Sequence, residues 1–143
     1  MMTIEGAVDL VLYAFAHGEP GDIFVQKAPS ATIGILAEAL LKLLKSDKEI
    51  RIIGTRHGEK LYETLLNREE MAQAEDLGEY YRVPADTRDL NYSKFFTSGE
   101  TMVSGAVDYN SHNTKLLDVD AMMDLLVKLP CVQDALKGVP VSA

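Results

Sequence analysis

The chain has 143 residues, of which 47% are apolar and 25% are charged, and its formal net charge at pH 7 is -8. This length and composition are typical of one globular domain that buries a substantial core, which excludes disorder throughout. The negative charge argues against a general affinity for nucleic acid or for an anionic membrane, because both would repel the chain on average.

A helix is predicted near the start of the chain. It follows Thr3, a candidate N-cap, and Gly18 and Pro20 end it. Its apolar residues recur at helical spacing and are expected to face the core: Ile4, Ala7, Val8, Val11, Leu12 and Phe15. Residues 7–16 are too short to span a bilayer, contain Asp9 and follow no basic region, so neither a signal peptide nor a transmembrane helix fits. The expected location is the cytoplasm.

Two strands joined by a helix are predicted next. Residues 22–27 form a short strand, and Pro29 with Ser30 turns the chain into a helix over 32–44. The apolar stripe of this helix comprises Ile33, Leu36, Ala37, Leu40, Leu41 and Leu44. Residues 49–54 form the second strand. Since a strand, a crossover helix and a strand of this length form a right-handed parallel unit, the two strands are expected to run in the same direction.

The middle of the chain is less regular. A helix over 60–66, a helix over 68–77 with Gly78 as its stop, and an extended piece over 80–84 are predicted. Periodicity then fades over 85–117, where Asp, Asn, Ser, Thr and Gly are frequent. A polar segment of this length inside a compact domain is typical of a functional or mobile loop, so we expect a flap there.

A final helix is predicted after Asp118, its candidate N-cap, and Pro130 stops it. Its apolar residues are Val119, Met122, Leu125, Leu126 and Leu129. Residues 131–137 add one further turn, and residues 139–143 form a frayed tail. Cys131 is alone, which excludes an intrachain disulfide and indicates a reducing compartment. The chain therefore divides into an α/β portion (1–84), a polar loop or flap (85–117) and a C-terminal helix with its tail (118–143).

The turn after the second predicted strand is the candidate binding site. Arg56 offers a planar fork of donors to a phosphate or carboxylate, and Gly58 permits close backbone approach or a positive φ. Glu59 can accept hydrogen bonds from sugar hydroxyls. Free amide groups and the positive end of a following helix would favour ligands at such a turn. The alternative is that Glu59 only complements the helix dipole and Arg56 is solvated.

Four motifs in order give a specific resemblance. They are Asp-Ile-Phe-Val-Gln-Lys-Ala-Pro at 22–29, Gly-Thr-Arg-His-Gly-Glu-Lys at 54–60, Arg-Asp-Leu-Asn-Tyr at 88–92 and Tyr-Asn-Ser-His-Asn-Thr at 109–114. Over residues 2 to about 129 the chain resembles the C-terminal part of bacterial UDP-N-acetylglucosamine 4,6-dehydratase/5-epimerases. These capsule and O-antigen enzymes belong to the extended short-chain dehydrogenase/reductase superfamily. The resemblance implies an α/β substrate-binding part with short parallel strands and helices, whose Rossmann half is missing.

The resemblance also implies roles for individual residues. Arg56 and Glu59, with Gly58 between them, would contact the sugar nucleotide. The polar segment would act as a flap that closes over this ligand or docks on a neighbouring subunit, and its residues of interest are Arg88, Asp89, Tyr92, His112 and Asn113. A surface loop packed by its tyrosines is the alternative. The implied partners are UDP-N-acetylglucosamine, the missing N-terminal Rossmann half and further copies in a homo-oligomer.

No catalytic residue is expected in this chain. The superfamily needs a Gly-x-x-Gly-x-x-Gly turn and a Tyr-x-x-x-Lys pair, but no tyrosine precedes a lysine at that spacing, and Gly18 with Gly21 lack a third glycine. NADP(H) is therefore expected in the full-length enzyme and not in this fragment. The three histidines are far apart in sequence, which gives a metal site no support.

Three functions remain open. In the first, the full-length enzyme would oxidise C4 of UDP-N-acetylglucosamine with NADP, eliminate water across C5 and C6, return the hydride to C6 and invert C5. The second is a UDP-sugar 4-epimerase, whose C-terminal half binds the same type of ligand. The third is a non-catalytic domain that binds a sugar nucleotide or a protein partner.

Overall fold

The structure is a computed structural model that describes residues 1–86 and 101–138. The described helices are α1 (Ile4–His17), α2 (Ile33–Leu43), α3 (Arg68–Gln73), α4 (Thr101–Gly105), α5 (Val119–Leu126) and α6 (Pro130–Leu136). The described strands are β1 (Ile23–Gln26), β2 (Thr64–Leu66), β3 (Glu75–Asp76), β4 (Tyr80–Val83) and β5 (Tyr109–Asn110).

These elements form two compact units. The helical unit consists of residue 1 and residues 29–61 and 115–138, and it contains α2, α5 and α6. The sheet unit consists of residues 2–28, 62–86 and 101–114, and it contains α1, α3, α4 and all five strands. The division at residues 84 and 117 inferred from the sequence remains a prediction.

The core of the helical unit lies between α2 and α5. Ala39 of α2 and Met122 and Leu126 of α5 are buried, together with Leu117. The predicted stripe of α5 is confirmed, because the remaining apolar residues of that stripe pack against this core. The stripe predicted for α2 is only partly right. Leu36 and Leu40 face the core, whereas Ile33 and Leu44 are exposed and Ala39 takes the central position, since the actual contact face is rotated by about one residue.

Side-chain caps fix the starts of α1, α2 and α5. Thr3, Thr32 and Asp118 each accept a hydrogen bond from the amide three residues further on, at 3.0, 3.2 and 2.8 Å respectively. The caps predicted at Thr3 and Asp118 are confirmed. Pro130 begins α6 at a position where its missing amide hydrogen costs nothing, so the further turn predicted there is confirmed. The predicted tail at 139–143 lies outside the described residues.

The sheet unit contains two antiparallel sheets. In the order β1-β4-β3, Ile23 pairs with Val83 and Gln26 with Tyr80. The second sheet pairs β2 with β5. Leu66, Val83 and Tyr109 form a small core within this unit. The strand predicted at 22–27 and the extended piece at 80–84 are confirmed as β1 and β4.

The predicted parallel pair is wrong. Residues 49–54 form no strand, and β1 pairs antiparallel with β4 instead. The run Ile50 to Ile53 has the β-branched composition of a strand, but a strand also needs a hydrogen-bonding partner, which composition cannot supply. Among the described residues, parallel pairing is limited to an isolated bridge between Ser30 and Leu116. The mixed α/β class is right and the strand direction is not.

Two helix predictions between residues 60 and 78 were also wrong, one in its existence and one in its end. The helix predicted at 60–66 is absent, since residues 60–63 are irregular and Thr64–Leu66 form strand β2, and the helix predicted at 68–77 ends at Gln73. A capping box decides the start of α3: the Asn67 amide donates to Glu70 Oε2 at 2.7 Å, and the Glu70 amide donates to Asn67 Oδ1 at 3.0 Å. Gly78 adopts φ +85° between β3 and β4, so it serves a hairpin turn and no helix stop.

Helix α1 has the predicted limits but not the predicted orientation. Tyr13 faces inward, where its ring lies 5.7 Å from Phe24 and 4.4 Å from Tyr80. The stripe expected in the core is exposed, up to 82% at Ile4 and 85% at Phe15. The described helices include none with the length and apolarity needed to cross a membrane. A cytoplasmic location remains a prediction.

The segment predicted as an aperiodic flap contains regular structure. Helix α4 and strand β5 both lie between residues 85 and 117. β5 was missed because two residues are too short for any alternation to appear. Residues 87–100 lie outside the described residues, and with them Arg88, Asp89 and Tyr92.

Candidate functional site

The predicted site residues Arg56, Gly58 and Glu59 lie together in one tight turn of the helical unit. The Glu59 amide donates to the Arg56 carbonyl oxygen at 3.1 Å, and the Arg56 amide donates to Glu59 Oε2 at 2.8 Å. Gly58 adopts φ +78°, the conformation predicted for it. We call residues 56–59 the Arg56 turn. Its geometry brings a guanidinium, a carboxylate and a glycine into one short loop.

The surroundings of the Arg56 turn are open. Arg56, Gly58 and Glu59 are all exposed, and a Cβ built on Gly58 would meet nothing within 4 Å. Glycine is therefore required at 58 by its backbone angle and not by crowding. An open glycine beside an arginine lets an anionic group approach both the backbone and the guanidinium.

The structure contradicts one argument for this site. The sequence placed the Arg56 turn at the amino end of a helix, but residues 60–66 contain β2 and no helix. The turn therefore gains no helix dipole and no free first-turn amides. Any binding of an anion here would depend on the Arg56 guanidinium, which can donate two parallel hydrogen bonds.

His112 and Asn113 lie in a different turn, which follows β5 in the sheet unit. The Asn113 side chain accepts from the Asn110 amide at 2.8 Å and donates to the Asp108 carbonyl at 2.7 Å. The His112 ring lies 5.3 Å from the ring of Tyr62. Asn113 therefore has a clear structural function in its own turn. The ligand roles predicted for these two residues remain predictions.

A cavity of about 270 Å³ lies in the sheet unit and contains none of the predicted site residues. Its lining includes Glu69, Glu70 and Asp86. Three carboxylates repel a diphosphate, so this cavity is not where the geometry favours a nucleotide. In the part of the chain that the structure describes, no group of three or more His, Cys, Asp or Glu side chains could hold a metal ion.

Arg82, a second arginine, lies in β4 and stabilises the sheet through two ion pairs. Its Nε donates to Asp22 Oδ2 at 2.7 Å, and its guanidinium also contacts Glu75 Oε2 at 3.3 Å. The hydrogen bond from Arg82 holds the pKa of Asp22 below its ordinary value, and the pKa of Arg82 is raised by the same bond. Lys27 likewise pairs with Asp76 and lowers the pKa of that carboxyl. Sequence could not reveal the Arg82 pair, because the two residues are 60 positions apart.

Comparison with a solved structure defines the class of protein. The X-ray structure of Pen from Bacillus thuringiensis matches with a TM-score of 0.68 and 25% identity, over 90% of this chain and 36% of that chain. The chain thus has the α/β fold of a part of an extended short-chain dehydrogenase/reductase.

Family models then define the family. Residues 1–85 match the model described as polysaccharide biosynthesis protein, and residues 86–133 match the model described as polysaccharide biosynthesis protein C-terminal. The chain belongs to the polysaccharide biosynthesis protein family. This confirms the coarser part of the resemblance inferred from the four motifs.

Curated relatives of the chain carry an epimerase name. A protein of Rickettsia felis named UDP-glucose 4-epimerase is 57% identical over 138 residues, and a protein of Rickettsia bellii with the same name is 56% identical. Both alignments cover 96% of this chain and 40% of the relative. The chain spans about two fifths of the length of these relatives. The 4,6-dehydratase specificity therefore stays a prediction.

Proposed function

We propose that this chain is the sugar-nucleotide-binding portion of an enzyme that modifies a UDP-hexose in polysaccharide biosynthesis. The observation that carries the proposal is the Arg56 turn, in which Arg56 and Glu59 are adjacent and open to a ligand. The family and the name of the Rickettsia relatives support a UDP-sugar as that ligand. Arg56 would bind the diphosphate through two parallel hydrogen bonds, and Gly58 would let it approach the backbone.

Two reactions of the sugar are the candidates. Inversion at C4 of UDP-glucose is favoured by the 57% identical Rickettsia felis relative, which is named UDP-glucose 4-epimerase. Dehydration of UDP-N-acetylglucosamine, with inversion at C5, is favoured by the resemblance of the four motifs at 22–29, 54–60, 88–92 and 109–114. Both use the same type of ligand, so the Arg56 turn fits either.

We expect no NADP(H) site among the described residues of this chain. Gly18 and Gly21, the glycines nearest to a phosphate motif, have local structural functions. A Cβ on Gly18 would lie 2.6 Å from the Ala14 carbonyl oxygen, and Gly21 adopts φ +92° against Ala85. These contacts support the expectation that any dinucleotide is bound by other parts of a longer enzyme, so no reaction step is assigned to this chain.

A chimaeric enzyme tests the proposed function. The aligned segment of the Rickettsia felis relative is replaced by this chain, and the chimaera is incubated separately with UDP-glucose and UDP-N-acetylglucosamine. Epimerisation gives a product of unchanged mass with altered C4 stereochemistry by NMR, whereas dehydration gives a product lighter by one water. A folded chimaera that converts neither sugar, while the relative remains active, contradicts the proposal.

Arg56→Ala in this chimaera tests the site itself. Loss of a charge-assisted pair should weaken UDP-sugar binding by about 1.5–3 kcal/mol. Arg51→Ala is the matched control, because Arg51 is also exposed and lies five positions earlier in the same loop. Equal Michaelis constants and turnover numbers for the two variants would remove Arg56 from the site.

A further inference from the structure

We infer that Glu59 is a positioning residue, whose carboxylate fixes the Arg56 turn so that the guanidinium is held ready for a diphosphate. This inference rests on the proposed function, in which Arg56 is the group that contacts the phosphates. Glu59 then contributes to binding through Arg56, even for a ligand that has no sugar hydroxyl.

The hydrogen-bond geometry carries this inference. The Arg56 amide donates to Glu59 Oε2 at 2.8 Å, the usual length of a charge-assisted bond. The Glu59 amide donates in return to the Arg56 carbonyl oxygen at 3.1 Å. The same two residues are thus joined twice, once through backbone and once through a side chain. Gly58 at φ +78° allows the chain reversal that both bonds require.

The loop around the Arg56 turn explains why the bond from the Arg56 amide to the Glu59 carboxylate matters. Residues 46–63, all of which the structure describes, contain neither helix nor strand, and residues 47–63 are exposed. The end of this loop is held by Glu63, whose carbonyl accepts from the Ser111 amide at 2.9 Å and whose amide donates to Ser111 Oγ at 3.1 Å. Residues 47–62 have no buried side chain to help order their backbone. Fixing the loop before the ligand arrives reduces the entropy lost on binding. The Glu59 carboxylate supplies that restraint at the residue that carries the binding cation.

A direct contact between Glu59 and the ligand is the competing role. One carboxylate oxygen is used in the turn, and the other can still accept a bond from a sugar hydroxyl. Inorganic pyrophosphate separates the two roles, because it has phosphates and no hydroxyl-bearing sugar. If Glu59 acts only on hydroxyls, Glu59→Ala should leave pyrophosphate binding unchanged or strengthen it, since a negative charge is removed. A positioning role requires weaker binding.

The first measurement is calorimetry of the complete 143-residue chain with pyrophosphate and with UDP. Glu59→Ala should weaken both ligands by a similar factor, about fivefold or more. Glu59→Gln keeps a carbonyl acceptor for the Arg56 amide and should bind within about twofold of the original chain. In an Arg56→Ala background, Glu59→Ala should have no further effect. Glu49→Ala, an exposed glutamate in the same loop, is the matched control.

The outcomes separate the two claims. Unchanged pyrophosphate binding by Glu59→Ala, together with weakened binding by Arg56→Ala, overturns the positioning role and leaves the proposed function standing. Failure of the original chain to bind either ligand, or equal binding by Arg56→Ala, overturns the proposed function.

The second measurement needs no ligand. NMR hydrogen exchange should show the Arg56 amide protected in the original chain, unprotected in Glu59→Ala and protected again in Glu59→Gln. Amides inside α5 should be unaffected in all three, which shows that the fold is retained. An unprotected Arg56 amide in the original chain would overturn the inference.

Discussion

Helices α1 and α5 have similar sequence patterns, but only α5 buries its apolar stripe. Each begins at a side-chain cap, Thr3 or Asp118, and each carries an apolar stripe predicted to face a core. In α5 that stripe packs against α2, and Met122 is 0% exposed. In α1 the stripe stays outside, and Phe15 is 85% exposed. An apolar stripe therefore identifies the side of a helix that favours burial, but burial itself requires a second element facing that side.

The largest expected effect that tests this contrast is in the core of the helical unit. Met122→Ala should lower the free energy of unfolding by about 2–5 kcal/mol, because it removes a fully buried side chain and leaves a cavity. Denaturant unfolding measures the change. Met102→Ala is the control, since Met102 is exposed on α4 and its loss should change little. Similar losses in the two variants would mean that α5 does not pack as described.

The helix caps should give the next largest effect, and they should do so in both helices. Thr3→Ala and Asp118→Ala should each cost about 1 kcal/mol in the free energy of unfolding, because each leaves a first-turn amide without its acceptor. Asp118→Asn should retain most of the stability, since asparagine is an equally good cap. A cap effect in α5 alone would show that the α1 terminus is frayed in solution.

A smaller effect is expected from the Arg82 pair of the sheet unit, as a loss of stability when the pH falls. The pKa of Asp22 is lowered in the folded chain, first by the hydrogen bond from Arg82 and then by the Glu19 amide. The stability it contributes is present above the unfolded pKa, about 3.9, and is lost as pH falls through the lower folded pKa. The denaturant midpoint should therefore decline below about pH 4. Asp22→Asn should flatten that decline.

The control for this titration is Asp47→Asn, which changes an exposed aspartate in the loop after α2. It should leave the acid decline unaltered. An Asp22→Asn variant whose midpoint depends on pH in the same way as the original chain would show that the bond to Arg82 is absent in solution.

The smallest effect is expected on the exposed face of α1. Phe15→Ala should change the free energy of unfolding by no more than about 0.5 kcal/mol, because the Phe15 ring remains exposed to water in the folded chain. Phe24→Ala, which removes a ring packed on Tyr13, should cost clearly more. A loss at Phe15 as large as that at Met122 would show that the α1 face is covered in solution.

The candidate site shows a similar division between local and distant information. Gly58 was expected to allow close backbone approach or a positive φ, and the polar glycine segment after the apolar run predicted a turn that contains Arg56 and Glu59. The structure has the positive φ and the turn. Both follow from short-range geometry, so sequence was sufficient. The helix expected after the turn was wrong, because β2 is formed by pairing with residues more than 40 positions later. No local pattern carries that information.

The sequence by itself determined the starts of α1 and α5, the Arg56 turn and the family of this protein, because caps, glycine angles and short motifs act within a few residues. Tertiary structure alone decided strand direction, the identity of β2 and which apolar faces are buried. Those outcomes depend on hydrogen bonds and contacts between segments far apart in the chain, such as β1 with β4. For the same reason, the residues around Arg82 and those around Asp22 in the sequence do not reveal that the two side chains form an ion pair.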